Sequence, residues 1–312
     1  MTSNPAPDAR HLVSAPVVVG VDGSAAADIA LDWAAGLAAQ RGRELRIVYA
    51  LDPNRIRLGL GLFDSLATAM LARSRARGAG LVERAAQRVR AVLPGLRLST
   101  EVADTDAVTA LVGRSTSAYT VVVAAHGTSR LTGHFGSTVA DVAASAPGPV
   151  LVVRTDPHEP DRVHSEGPVT VGVDGSPISE RAIGAAFEEA AEREAELVAV
   201  HVCHDVYSGE FADEPHLLYS VPEVEMRERA LLAERLAGWQ EKYPQVPVSR
   251  RVDLTDPVAV LLDSSKAAQL LVVGSHGRGG VRAWLGSTSR SLVQHAWCPV
   301  LVVRPGTDGH DD

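Results

Sequence analysis

The run Leu270-Leu-Val-Val-Gly274-Ser-His276-Gly277 is followed, after eight intervening residues, by Gly286-Ser287-Thr288-Ser289. It places an apolar strand, a glycine loop and the start of a helix in direct succession. That order suits a phosphate. Glycines let backbone N–H groups come close to an anion, and a helix N-terminus adds free donors and a partial positive charge. Ser287, Thr288 and Ser289 supply hydroxyls at the same place. A carboxylate complements them: Asp174 ends the apolar run Val169-Thr-Val-Gly-Val173 and is followed by Gly175-Ser176. Such a carboxylate can accept from a ribose hydroxyl or a base amine. Taken singly, Asp-Gly is also a turn signal and Gly-Ser an ordinary helix start.

Repetition favours the binding reading. Val17-Val-Val-Gly-Val-Asp22-Gly-Ser recurs as Val169-Thr-Val-Gly-Val-Asp174-Gly-Ser, and Pro149-Val-Leu-Val-Val-Arg154 as Pro299-Val-Leu-Val-Val-Arg304. The first copy of the glycine loop reads Ala124-Ala-His126-Gly127, then Gly136-Ser137-Thr138. His126 and His276 lie inside the loops with no nucleophile or metal-ligand pattern beside them, which predicts loop hydrogen bonding and no metal site. The chain lacks G-x-x-x-x-G-K-[ST], H-E-x-x-H and G-x-S-x-G, so it has no P-loop lysine and no motif that positions a nucleophile. These absences predict a binding protein with no catalytic residues. The enzyme alternative is a slow ATPase using Asp174 or His276 as base.

The elements that must position these groups alternate. In the first half, strands are expected at 17–22, 45–50, 96–102, 119–125 and 149–153. In the second they fall at 169–174, 196–202, 247–253, 270–274 and 299–303. Ser24 is placed to cap a helix whose inner face carries Ala26, Ala30, Trp33, Ala34 and Leu37. A helix over 64–93 has Gly78 and Gly80 as weak points. Strand–helix alternation implies parallel sheets with helices on both faces, and ligands there bind beyond the strand C-termini where strand order reverses. The polar, proline-containing stretch 156–168 reads as a linker between domains at 1–155 and 169–312.

Composition narrows the classes. The 312 residues carry a net charge of −8, with no basic patch to neutralise phosphates, which argues against nucleic-acid partners. No apolar stretch approaches a membrane span. The N-terminus has no signal-peptide pattern, and two cysteines without ligand spacing predict reduced thiols in a cytoplasmic protein.

Together these residues resemble the universal stress protein family in its tandem two-domain form, over roughly residues 15–154 and 167–304. The resemblance implies two five-stranded α/β sandwiches of the adenine-nucleotide α-hydrolase-like type, paired through their fifth strands as a pseudo-dimer or homodimer. It implies ATP, with Mg2+, as ligand, and a regulatory role in the stress response. The family's pattern of Gly, two residues, Gly, nine residues, Gly and Ser/Thr falls on Gly274, Gly277, Gly286 and Ser287. Its strand-one acid falls on Asp174, and its adenine-side apolar residue on Leu197. In the first half the positions are Asp22, Leu45, Ala124, Gly127, Gly136 and Ser137. Both spacers hold eight residues where the family has nine. Ala124 replaces the first glycine, and Val139 stands where the second half has Ser289. The second domain is therefore expected to bind more tightly. Family members without the glycine pattern imply the other alternative, an interaction protein that binds no nucleotide.

Overall fold

This computed structural model describes residues 14–54, 56, 64–126, 137–159, 162–203, 221–277 and 285–304. They divide into two compact units, the first ending at Val153 and the second beginning at Arg154.

The first unit contains β1 (Val17–Gly20), α1 (Ala25–Gln40), β2 (Leu45–Ala50), α2 (Asp64–Val92), β3 (Leu98–Ala103), α3 (Ala107–Ser115), β4 (Thr120–Ala124), α4 (Ser137–Ser145) and β5 (Val150–Val153). All of its strand pairs are parallel, in the order β3-β2-β1-β4-β5. Val17, Val18 and Val19 are all essentially inaccessible. Successive strand residues point to opposite faces, so an uninterrupted buried run requires helices on both sides. α1 packs with α2, and α3 with α4. The alternating periodicity thus gave the correct elements, with ends differing by one or two residues.

Two expectations shift. α1 buries Ala27, Ala30, Leu31, Ala34, Ala35, Leu37 and Ala38, while Ala26 and Trp33 stay half-exposed. An alanine-rich helix that touches both the sheet and α2 has a wide apolar stripe, and periodicity alone does not place its centre. α2 runs unbroken through Gly78 and Gly80. Gly78 is a packing position: a Cβ there would stand 2.6 Å from Cδ1 of Tyr49.

The second unit repeats the plan with β6 (Val169–Val173), α5 (Pro177–Glu192), β7 (Leu197–Val202), α6 (Val221–Lys242), β8 (Val248–Asp253), α7 (Pro257–Ser265), β9 (Leu270–Gly274), α8 (Ser287–His295) and β10 (Val300–Val303). Its parallel order is β10-β9-β6-β7-β8. From β6 the chain moves one way through β7 and β8, then returns to the other side as β9 and β10. The reversal leaves a crevice between the C-terminal ends of β6 and β9. Away from it, α5 and α6 meet through an aromatic stack of Phe187, Trp239 and Tyr243, with ring centroids 5.9 to 6.4 Å apart. Gly184 admits the stack, since a Cβ there would lie 2.5 Å from Cη2 of Trp239.

The stretch expected to be a linker is packed against the second unit. His164 bridges Asp156 at 2.8 Å and the carbonyl of Ala268 at 3.2 Å. Gln269 donates to the carbonyl of Gly167 at 2.6 Å. The His158 ring meets Trp297 edge-on. Arg154, 7% exposed, donates to the carbonyls of Ala296 at 2.6 Å and Val293 at 2.8 Å. Burial lowers its pKa to about 10, so it remains a cation at neutral pH, at the helix end that favours one. Burial also pushes the Cys298 thiol up to about 12, which leaves it unreactive.

Replacing Gly184 with Ala should lower the melting temperature and perturb tryptophan fluorescence. The ring is locked in a stack, so the overpacking cost of ~1–3 kcal/mol outweighs the ~1 kcal/mol gain in helix propensity. Thermal unfolding checks this. The hydrogen bond from His164 holds the Asp156 carboxyl below its usual pKa. A depressed folded-state pKa contributes stability above the unfolded value of ~3.9 and loses it as pH falls through the folded value. Asp156→Asn should therefore flatten the acid limb of stability against pH, measured from about pH 5 down to about pH 2.

Candidate functional site

The β6–α5 turn fixes one wall of the crevice. Oδ1 of Asp174 accepts from the Ser176 amide at 2.9 Å and the Ser176 hydroxyl at 2.7 Å. Gly175 sits at φ 79°, in the region that favours glycine. Ser176 caps α5 by accepting from the Ser179 amide at 3.3 Å, and the Ser179 hydroxyl accepts from the Asp174 amide at 3.2 Å. With Oδ1 held by the turn, Oδ2 is directed across the crevice. A Cβ on Gly277 would stand 2.6 Å from it.

The opposite wall is the loop after β9. The Ser275 amide donates to Val303 O at 2.9 Å, and the Gly286 amide donates to Ser275 O at 2.7 Å, which pinches the ends of the loop together. Gly286 belongs to that pinch, because a Cβ there would lie 3.2 Å from Cα of His276. It is also the N-cap of α8 and supplies no side-chain cap. The first-turn amides of α8 are thereby left to a ligand or to water. His276 places Nδ1 3.0 Å from the Ser275 hydroxyl.

Between the walls lies a cavity of about 680 Å³, within the usual range for small-molecule sites. Of the residues singled out in the second half, Asp174, Gly274, His276, Gly277, Gly286, Ser287, Thr288 and Ser289 line it. Ser289 lines it in a different role from the one expected. Its hydroxyl donates to Gly274 O at 2.6 Å and is buried, so it ties the first turn of α8 to the end of β9. Val139 at the equivalent position in the first unit therefore lacks a clamp as well as a hydroxyl.

Leu197 is not brought to the cavity. It begins β7, in register with Val169, and is fully buried at the far end of the sheet. At ~3.3 Å per residue, the cavity-lining end of the strand is ~15–20 Å away. Val200, His201, Val202 and Cys203 line the cavity from β7 instead. Leu45 occupies the same remote position in β2.

In the first unit, Asp22 repeats the turn, with Oδ1 accepting from the Ser24 amide at 2.9 Å and Gly23 at φ 82°. Ala124 ends β4, His126 is exposed just beyond it, Ser137 opens α4, and Thr138 is half-buried in its first turn. Gly127 and Gly136 lie outside the described residues.

Sequence reading missed His201 and Glu228. His201 is buried; its Nδ1 lies 2.7 Å from Val173 O and its Nε2 lies 3.0 Å from Oε2 of Glu228 on α6. Both residues line the cavity. The one available signal was a histidine interrupting the apolar run Leu-Val-Ala-Val-His-Val. Glu228 gave none, because nothing in its spacing links a charged helix residue to a strand 27 positions earlier.

A family model described as the universal stress protein family matches residues 15–154 and again 167–304. A universal stress protein of Mycolicibacterium smegmatis is 41% identical over 296 residues, covering 93% of this chain and 97% of that one. A universal stress protein of Mycobacterium tuberculosis strain H37Rv is 39% identical over 300 residues, covering 92% and 96%. Among solved structures, a universal stress protein from Archaeoglobus fulgidus aligns with a TM-score of 0.67 over 95% of this chain and 99% of its own, at 18% identity. That likeness speaks to the fold, and no helix among the described residues is long and apolar enough to cross a membrane. With two matched domains and relatives aligned along nearly their whole length, the chain belongs to the universal stress protein family.

Proposed function

We propose that the second unit binds an adenine nucleotide, ATP in the first instance, and acts as a regulator in the stress response. The observation that carries this reading is steric. An added Cβ would stand 2.6 Å from Oδ2 of Asp174 at Gly277 and 3.2 Å from Cα of His276 at Gly286, so a side chain at either position is crowded. Both approaches flank the uncapped start of α8. A cradle of backbone donors opposite a carboxylate suits a phosphorylated ribose: phosphates at the β9 loop and α8, hydroxyls at Asp174. Mg2+ would arrive with the phosphates. No group of three or more His, Cys, Asp or Glu among the described residues is arranged for a metal, and this ion commonly keeps waters and phosphate ligands. ATP would act by linkage, favouring whichever conformation or partner-bound state holds it more tightly.

The first unit departs at the same places. It has Ala124 for Gly274, Val139 for Ser289, and the Tyr49 ring against Gly78 where the second unit has His201 and Glu228. These differences support one nucleotide per chain. Association through the fifth strands of each unit, as a pseudo-dimer or homodimer, belongs to the same proposal.

The test is to denature the purified protein and identify and count the released nucleotide by mass spectrometry. About one ATP per chain is expected, as for a tight site with slow turnover. ADP or AMP alone would favour slow hydrolysis. Absence of nucleotide, with none taken up on titration, would overturn the proposal.

Gly277→Val should weaken ATP binding by about tenfold or more while leaving the circular dichroism spectrum unchanged, because the new side chain displaces Asp174 or the bound phosphates. Calorimetric titration measures it.

A further inference from the structure

The cavity has chemically different ends. Across the order β9-β6-β7, the β9 loop and the α8 N-terminus offer N–H donors, Asp174 stands in the middle, and His201 with Glu228 closes the β7 side. Two strand spacings of ~4.8 Å separate the extremes by ~10 Å, which matches the span from a nucleotide's phosphates to its base. A carboxyl at the β7 end disfavours phosphates and favours a group that carries N–H donors.

The hydrogen bonds define what that carboxyl can do. Nδ1 of His201 faces a carbonyl at 2.7 Å, so it carries a proton. Nε2 lies 3.0 Å from Oε2 of Glu228, so the imidazole orients the carboxyl. Oε2 is committed to His201, whereas Oε1 has no protein partner among the described residues. Val202, Leu231 and Leu261 add apolar surface to the same cavity.

We propose that Glu228, oriented by His201, accepts the exocyclic amine of the bound adenine and thereby sets base preference in the second unit alone. The inference rests on the nucleotide reading above. The repeat provides an internal contrast. Tyr49 and His201 hold corresponding strand positions, as the registers Val17 with Leu45 and Val169 with Leu197 require. Gly78 and Glu228 correspond across the α2 and α6 helices, which are followed directly by Leu93-Pro94 and Tyr243-Pro244. In one unit an aromatic ring lies over a glycine; in the other a buried histidine holds a glutamate. The first pair is sterically matched, because a Cβ at Gly78 would meet the Tyr49 ring at 2.6 Å.

That contrast supplies variants with a precedent in the same fold. The double variant His201→Tyr/Glu228→Gly transfers the first unit's pair into the second, and Glu228→Ala removes the acceptor alone. The probes are ATP and purine riboside triphosphate, which lacks only the amine, titrated against the full chain. The unmodified protein should prefer ATP by about tenfold or more. Both variants should reduce that preference to within about twofold, through lost ATP affinity and not through gained analogue affinity. Circular dichroism confirms folding. If ATP binds and its preference over the analogue survives both variants, this inference is overturned and the nucleotide site stands. If the unmodified protein takes up neither probe, both fall together.

Discussion

The second unit is organised around one close approach: the loop after β9 must pass within contact distance of the Asp174 carboxylate. That carboxylate is steadied by the amide and hydroxyl of Ser176, which donate to Oδ1. A side chain at Gly277, on the backbone opposite, would push against it. The turn that fixes Asp174 also starts α5, and the loop that carries Gly277 leads into α8. Two helix starts and two strand ends are therefore set by one contact. The parallel sheet makes this possible, since only at its reversal point do two strand ends open onto a shared crevice.

The repeat shows the same frame put to different use. Both units keep the Asp-Gly-Ser turn, which needs positive φ at its glycine and a short hydroxyl to cap the next helix. They differ in the groups the frame presents. Val139 and Ser289 are both buried, yet only the serine ties its helix to the preceding strand. Tyr49 and His201 occupy the same strand position with opposite demands. An aromatic ring asks for volume, and a buried imidazole asks for partners on both nitrogens.

Much of this was legible in the sequence because it is local. Strand runs such as Val121-Val-Val and helix starts such as Ser24 declare themselves within a few residues. The glycine loop was legible for the same reason, as was Asp174. What failed was anything settled by packing between distant segments. The inner face of α1 depends on α2 as well as the sheet. The stretch 156–168 has the composition of a tether, but His164 and Gly167 find partners near Ala268 and Gln269 that no local pattern indicates. Leu197 shows the converse error: a position carried over from a family pattern lies at the far end of its strand, where the parallel register keeps it from the crevice.

α8 is anchored at both ends. Ser289 fastens its first turn to Gly274 O, and Arg154 grips the carbonyls of Val293 and Ala296 where it finishes. A nine-residue helix on its own is marginal in water, so these two attachments hold it in place. Its first turn lines the cavity. A ligand bound there as proposed would meet a helix already positioned, in part by an arginine at its opposite end.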